Sequence, residues 1–371
     1  MNKAKLIIAD SLNDSNMYYA VGISIPDDFI YLEKNKKKII YVDDLEFNRA
    51  KKEAKVDQVI NYSRYNKKAN RNSLGGVLIA ILKENKIKEI IVPENFKMKY
   101  AEILLKNKIK VQVKPEPFFK KRITKNKSEI EKIKKTQRAS ELALKQAIKI
   151  IKKSKIRKDK KLIYQNKILT SEFIKTIIDI ELLKKNCRAE IFNIVSCGKD
   201  SADPHQEGKG PLLANQPIII DIFPKSSDNR YFADMTRTVV KGKASKEIKK
   251  IYQTVLEAQK LAISKIKPGI KTNSIHKLVQ DYFNKKGFKT EDKSGKVQGF
   301  IHGTGHGVGL DIHELPNLNS KDKNTLKTGN VVTVEPGLYY PNIGGVRIED
   351  LILVTKNGHQ NLTKFPKVLE I

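Results

Sequence analysis

Four acids stand where a packed strand or a glycine turn should carry something apolar. Asp221 follows three isoleucines and precedes Ile222 and Phe223; Asp234 falls inside YFADMTRT; Glu335 closes the run Val331, Val332, Thr333, Val334; Glu349 lies in GGVRIED. Burying an ionised carboxylate without a partner is prohibitively costly. Each acid is therefore a strand-end residue facing solvent or a ligand of something cationic. Singly, plain readings serve: a strand end for Asp221, an ion pair with Arg237 for Asp234, an ordinary turn at Glu335-Pro-Gly, an exposed strand position for Glu349. With a histidine they make five groups from three separated segments, and a metal accounts for all of them at once.

Asp221 and Asp234 are expected on two strands joined by a loop holding Pro224, Ser226, Ser227, Asp228 and Asn229. Glu335 and Glu349 are expected on two more, joined through Pro336-Gly337 and Gly344-Gly345. Two hairpins facing each other would converge the four carboxylates, and like charges that close raise one another's pKa values. Two divalent cations resolve the conflict. An oxygen-rich set with one imidazole suits Mn²⁺ first, then Co²⁺, Fe²⁺ or Zn²⁺. Paired metals ~3.5–4 Å apart are a hydrolytic arrangement that supplies a bridging hydroxide near neutral pH.

Four of the six histidines, His205, His302, His306 and His313, lie in motif-like contexts. In HGTGHGVG, His302 and His306 are four positions apart and every second residue is glycine, so backbone and imidazole can approach a crowded centre. The segment fits neither GxxxxGK[ST] nor GxGxxG and is not a phosphate loop. His276, in a polar helical pattern, and His359, in a C-terminal turn, are expected at the surface.

These residues need a scaffold. Residues 5–10 read as an opening strand, and Phe29–Leu32 with Ile39–Val42 as a hairpin about a Lys/Asn turn. Helical patterns at 45–54, 73–83 and 98–107 alternate with strands at 89–93 and 109–113, which predicts a small α/β domain. A basic linker from Lys120 leads to a helix whose capping box is expected at Ser128 and Glu131. Beyond it, helices near 168–185, 245–266 and 272–286 mix with strands at 193–197, 217–223, 230–240, 331–339 and 345–355, an α+β order.

At 371 residues and 39% hydrophobic content, the chain exceeds one ordinary domain and can bury a sizeable core. Cys187 and Cys197 show neither metal spacing nor a disulfide framework. No apolar stretch approaches the ~20 residues that span a bilayer, and the first residues lack the apolar segment of a signal peptide. A cytoplasmic protein without a membrane partner is expected. The charge is extreme: 73 basic minus 41 acidic residues gives +32. Such a surplus raises nucleic acid as a partner. Against this, the cations are mostly lysine rather than the arginine suited to bidentate phosphate recognition, and no aromatics interleave them. A lysine-solvated surface is the expectation, with non-specific nucleic-acid contact at low salt as its functional alternative.

Taken in order, these segments resemble the pita-bread metallopeptidases, in the Xaa-Pro aminopeptidase and prolidase branch, over essentially the whole chain. YYAVG from Tyr18 and DDLEFNRA from Asp43 resemble the creatinase/prolidase N-terminal domain; Arg122-Ile-Thr-Lys through IEKIKKTQR from Ile130 resembles the entry helix of the catalytic domain. The resemblance implies an α/β N-terminal domain over 1–123 and an α+β pita-bread catalytic domain over 124–371. It implies that Asp221 binds one metal, that Asp234 and Glu349 bridge both, and that His306 and Glu335 complete the second. Glu335 would also be the general base. His313, in HELP, matches a histidine that stabilises the tetrahedral intermediate, and His205, in SADPH, another on the substrate side. His302 and Arg347 match positions lining the substrate's C-terminal side, where Arg347 holds a carboxylate or orients Glu349. The implied activity is exopeptidase cleavage of the bond before a penultimate proline, by a homodimer.

There are departures. Phe223 and Pro224 stand where most relatives have a glycine, the interval from Asp221 to Asp234 is 13, longer than in relatives, and Gln206 to Asn215 lacks the usual signposts. A longer hairpin loop bordering the pocket accounts for them. Methionine aminopeptidase is the rival within the fold, although it lacks such an N-terminal domain and spaces its glutamates more widely. Creatinase-like relatives lack the metal set. A pita-bread protein used as an RNA- or ribosome-associated binder is the alternative that the charge favours.

Overall fold

The computed structural model describes residues 3–65, 73–293 and 295–371. The chain divides into two compact units, Met1–Arg122 and Ile123–Ile371. Among the described residues no helix is long and apolar enough to cross a membrane.

The first unit is built on a six-stranded sheet, in spatial order Gln58–Asn61, Lys37–Val42, Phe29–Lys34, Lys3–Ala9, Glu89–Pro93, Lys110–Lys114. The expected hairpin is there, with Ile30 opposite Tyr41 and Leu32 opposite Ile39. Strand alternation divides the apolar residues between two faces. Leu6, Ile8, Ile30 and Leu32 pack with Leu78, Ile81 and Leu82 of the helix Leu74–Glu84, while Ile7, Phe29 and Tyr31 pack with Met17, Ala20 and Val21 of Ser15–Val21. Helices on both faces of a mixed sheet make this unit α/β.

The second unit opens with the helix Lys127–Lys153. Its capping box is Asn126 with Glu129, not Ser128 with Glu131: the Asn126 side chain accepts from the Glu129 N–H at 3.0 Å, and Glu129 Oε2 accepts from the Asn126 N–H at 2.8 Å. Asn caps as well as Ser, and this frame buries Glu129, where its other oxygen accepts the Tyr231 hydroxyl at 2.7 Å. Glu131 instead pairs with Lys134.

Antiparallel strands of this unit give alternate residues to the helices. In the strand Ile218–Ile222, the residues Ile218, Ile220 and Ile222 pack on Ala143, Ala147, Ile174 and Ile178 of the helices Lys127–Lys153 and Ser171–Leu183. Alternation then turns Asp221 the other way. Val332 and Val334 of a five-stranded sheet, Val346 of a two-stranded one and Ile348 just beyond it pack on Val255, Ala258 and Val279 of the helices Lys246–Lys265 and Thr272–Lys285. The same rule turns Thr333 and Arg347 away from those helices.

The long strands expected at 331–339 and 345–355 are each broken in two. The pieces are Val331–Val334 and Gly337–Tyr340, then Gly344–Arg347 and Asp350–Thr355. Glu335 and Glu349 sit in the breaks rather than on strands. Pro336 has no N–H with which to continue a ladder, and each glutamate turns its own N–H elsewhere: Glu335 to the Thr304 carbonyl at 2.8 Å, Glu349 to the Thr236 carbonyl at 3.1 Å. Regular pairing in the region expected as 230–240 begins only at Met235, so Asp234 lies just outside its strand.

Arg237 does not pair with Asp234. Its guanidinium is buried against Asp350, Nη2 to Oδ1 at 2.8 Å, and also donates to the carbonyls of Glu349, Phe365 and Pro366. Lys367 and Asn361 hold the other Asp350 oxygen at 2.5 and 2.7 Å. Removing one partner of such a pair leaves a charge buried alone, at a cost of about 3–5 kcal/mol. Asp350→Ala should therefore lower the urea midpoint of the metal-free protein by that much stability, and an unchanged midpoint would contradict the role given to this pair.

Candidate active site

A cavity of about 670 Å³ in the second unit is lined by Asp221, Asp234, Glu335, Glu349 and His306, and also by His205, His302, His313 and Arg347. All the residues singled out for chemistry thus border one space. Ligand atoms of Asp234, His306 and Glu349 lie within 4.8 Å of one another. His306 Nε2 is 3.2 Å from Glu335 Oε1 and 3.6 Å from Asp234 Oδ2.

The electrostatics of this cluster are unsatisfied by protein alone. Asp221, Asp234 and Glu349 are 8%, 4% and 2% exposed. Burial, and then the neighbouring acids, push the Asp234 and Glu349 carboxyls well above the usual range. Burial raises Asp221 as well, against the pull of Arg347. Glu335 goes the other way: burial works to raise it, but the hydrogen bond and charge of His306 outweigh this and hold it at about 2. Asp221 Oδ1 is buried with no hydrogen-bond donor.

The imidazole is aimed by its backbone. His306 Nδ1 lies 3.1 Å from the Gly307 carbonyl, which can only accept, so Nδ1 carries the hydrogen and Nε2 faces the acids. Metal-binding histidines are commonly fixed this way. Four converging carboxylates, one of them with an orphaned oxygen, and one aimed imidazole fit divalent cations.

Glycine makes the approach possible at two positions. A Cβ on Gly305 would stand 2.0 Å from the Thr333 carbonyl oxygen, and one on Gly307 would stand 2.6 Å from the Glu314 carbonyl oxygen. Thr333, not singled out from the sequence, receives the His306 N–H and donates to Glu335 Oε1, both at 3.0 Å. Thr236, directly opposite Asp221 in the ladder, donates to Glu349 Oε2 at 2.7 Å. Arg347 holds Asp221 rather than Glu349, Nη2 to Oδ2 at 2.7 Å.

Tyr339 is a further residue the sequence did not mark, since an aromatic in GLYY reads as core. Its hydroxyl bridges His302 Nε2 at 2.8 Å and Arg347 Nη1 at 2.9 Å. His302 Nδ1 meets the Gly303 carbonyl at 2.7 Å, so both His302 nitrogens are engaged within the protein. His313 sets its ring perpendicular to His306, centroids 4.4 Å apart. The adjacent Glu314 fixes that turn by accepting from the N–H groups of Leu310 and Asp311 at 3.0 and 3.2 Å, and it pairs with buried Lys125 at 2.8 Å.

His276 is not at the surface. It is buried, stacked on Phe300 at 5.2 Å, with Nδ1 3.1 Å from the Thr304 hydroxyl, and burial lowers its pKa. The spacing 276, 279, 283 along the buried side of its helix was the available signal. His359 is exposed.

If cations relieve the crowding, they should stabilise the fold. Mn²⁺ at about a hundred times its dissociation constant should add about 2.7 kcal/mol per site, read as a rise in Tm that a chelator reverses. Because burial and the neighbouring acids make Asp234 and Glu349 hold their protons more tightly than ordinary carboxyls, the metal must displace them, and affinity should fall as the pH is lowered. A Tm indifferent to divalent ions would contradict the fit.

A model of metallopeptidase family M24 matches residues 131–356. The chain is 32% identical to an Xaa-Pro dipeptidase of Pyrococcus furiosus over 364 residues, 95% of this chain and 92% of that one. Among solved structures, the prolidase of Pyrococcus horikoshii superposes with a TM-score of 0.81 at 29% identity, covering 99% of this chain and 95% of that one. An X-Pro aminopeptidase of Thermotoga maritima gives 0.81 at 25% identity, covering 100% and 97%. The two-unit architecture is shared along its whole length, and the family match spans the carboxylate cluster from its first acid to its last: this chain belongs to metallopeptidase family M24.

Proposed function

We propose that this metallopeptidase removes the N-terminal residue from peptides with proline in second position, using two divalent ions, Mn²⁺ foremost, held by Asp221, Asp234, His306, Glu335 and Glu349. The observation that carries the reading is the cluster itself. Its acids are too close and too buried to ionise together without cations, and its full-length relatives are named for action on Xaa-Pro peptides.

Bound there, the ions would polarise the scissile carbonyl and make water at the site acidic enough to deprotonate near neutral pH. The chain's own residues do the rest. Glu335, kept ionised beside His306, takes the proton of the attacking water on a carboxylate oxygen and delivers it to the departing proline nitrogen. That nitrogen belongs to a tertiary amide and has no hydrogen of its own, so its protonation is what releases the product. His313 stays neutral, burial being the first cause of its lowered pKa. It can donate an N–H to the oxygen on which negative charge develops, and His205 lines the same cavity. Asp221 is kept in place by Arg347, and Glu349 by Thr236.

Two variants test these roles, the second at a residue that is both ligand and base. Asp234→Ala should lose metal and activity together. Glu335→Gln should retain substrate binding but lose about 10²–10⁴-fold in turnover. Full activity with two ions bound in Asp234→Ala would overturn the ligand assignment. Chelator-sensitive hydrolysis of Leu-Pro-Ala, with none of Leu-Ala-Ala, is the expected specificity; equal cleavage of both would remove proline from the reading.

A further inference from the structure

Between His302 and His306 the only side chain is that of Thr304, flanked by Gly303 and Gly305. Glycine leaves the backbone on either side free to adopt many conformations, so the placing of Thr304 falls to its bonds. Its N–H donates to the Leu318 carbonyl at 2.7 Å, and its carbonyl accepts the Glu335 N–H at 2.8 Å. Thr304 is fully buried, and its hydroxyl meets His276 Nδ1 at 3.1 Å. Among the described residues that hydroxyl has no other hydrogen-bond partner.

The Thr304 carbonyl matters because Glu335 stands in a break between strands. Val331–Val334 ends before it and Gly337–Tyr340 starts after it, and Pro336 has no N–H with which to bond. The Glu335 backbone therefore hangs on Thr304, while Thr333 and His306 hold its carboxylate.

His276 is itself firmly held. It lies on the buried side of the helix Thr272–Lys285 with Ile275, Val279 and Phe283. Its ring packs against Phe300 at 5.2 Å, and Phe300 meets Phe283 at 5.2 Å and His302 at 5.6 Å. Burial lowers its pKa, so the imidazole is neutral and adds no charge behind the metal ligands. Its outer edge reaches a surface groove beside Asn273, Lys277 and Gln280. Among the described residues its one hydrogen bond is the one to Thr304.

We propose that His276 is a positioning residue: through the Thr304 hydroxyl it fixes the carbonyl that holds the Glu335 N–H, and so sets where the general base stands. The proposal rests on Glu335 being that base, as read above. Cutting the link leaves the Thr304 hydroxyl buried without a partner, which is costly, and the flanking glycines let the peptide turn to find one. Glu335 then moves with it. A misplacement of about 1 Å can slow a reaction about 10²-fold.

Three variants test this. His276→Phe keeps a ring against Phe300 but has no nitrogen. Thr304→Val keeps the shape but has no hydroxyl, and His276→Asn offers an amide group near where Nδ1 stood. Hydrolysis of Leu-Pro-Ala by the Mn²⁺-loaded protein gives kcat and KM; hydrogen exchange at the Glu335 amide is a readout independent of turnover. His276→Phe and Thr304→Val should each lower kcat by about 10–100-fold with KM within about twofold. Both should also speed exchange at Glu335. The double variant should lose no more than either single one, because the same link is cut twice, and His276→Asn should recover most of kcat. Unchanged kcat and exchange in His276→Phe, losses that multiply in the double variant, or an Asn variant as slow as the Phe variant would overturn the proposal. Should His276→Phe not fold, Thr304→Val decides alone, and exchange at Glu335 at the unaltered rate overturns it. If the unaltered protein cleaves no Leu-Pro-Ala, the proline reading falls, while exchange still decides whether His276 holds Glu335.

Discussion

Four carboxylates cannot stay ionised side by side in a buried cavity unless positive charge is placed among them, and the second unit is arranged around that constraint. The segments that bear the acids also carry residues that pack on helices. Ile220 and Ile222 flank Asp221, and Val334 and Ile348 precede Glu335 and Glu349. The hydrophobic effect that buries the isoleucines and valines thereby also forces the acids inward. Apolar burial of this kind, at about 25 cal/mol per Å², offsets the cost of confining like charges.

Neutral hydroxyls and one arginine then orient three of the four acids. Thr236 and Thr333 each donate to one glutamate, and Tyr339 links Arg347 to His302. Arg347 is thereby committed to Asp221. The surface carries the opposite charge: many lysines stand in short exposed ion pairs such as Lys184 with Glu181 and Lys277 with Asp281. Pairs of that kind contribute little to stability, which fits a solvating role for the basic surplus.

The chemistry was more legible than its supports. An acid that interrupts a run of valines or isoleucines is a local signal, and so is an imidazole among alternating glycines. The hairpin of the first unit and the four long helices of the second followed from periodicity. What sequence reading missed depends on partners distant in the chain. Arg347 meets Asp221 across 126 positions, Tyr231 selects Glu129 across 102, and Arg237 prefers Asp350 to the nearby Asp234. The breaks at Glu335 and Glu349 have the same origin, since their N–H groups bond to Thr304 and Thr236 rather than to a neighbouring strand. Pro336 hinted at the first break; nothing local marked the second.

The central claim is that the acids hold two ions rather than one. Anomalous diffraction from crystals grown with Mn²⁺ tests it most directly. Two peaks ~3.5–4 Å apart, both in contact with Asp234 and Glu349, with Asp221 on one and His306 and Glu335 on the other, are the result the account predicts. A single peak, or none, with all five side chains ordered at high Mn²⁺, would contradict it.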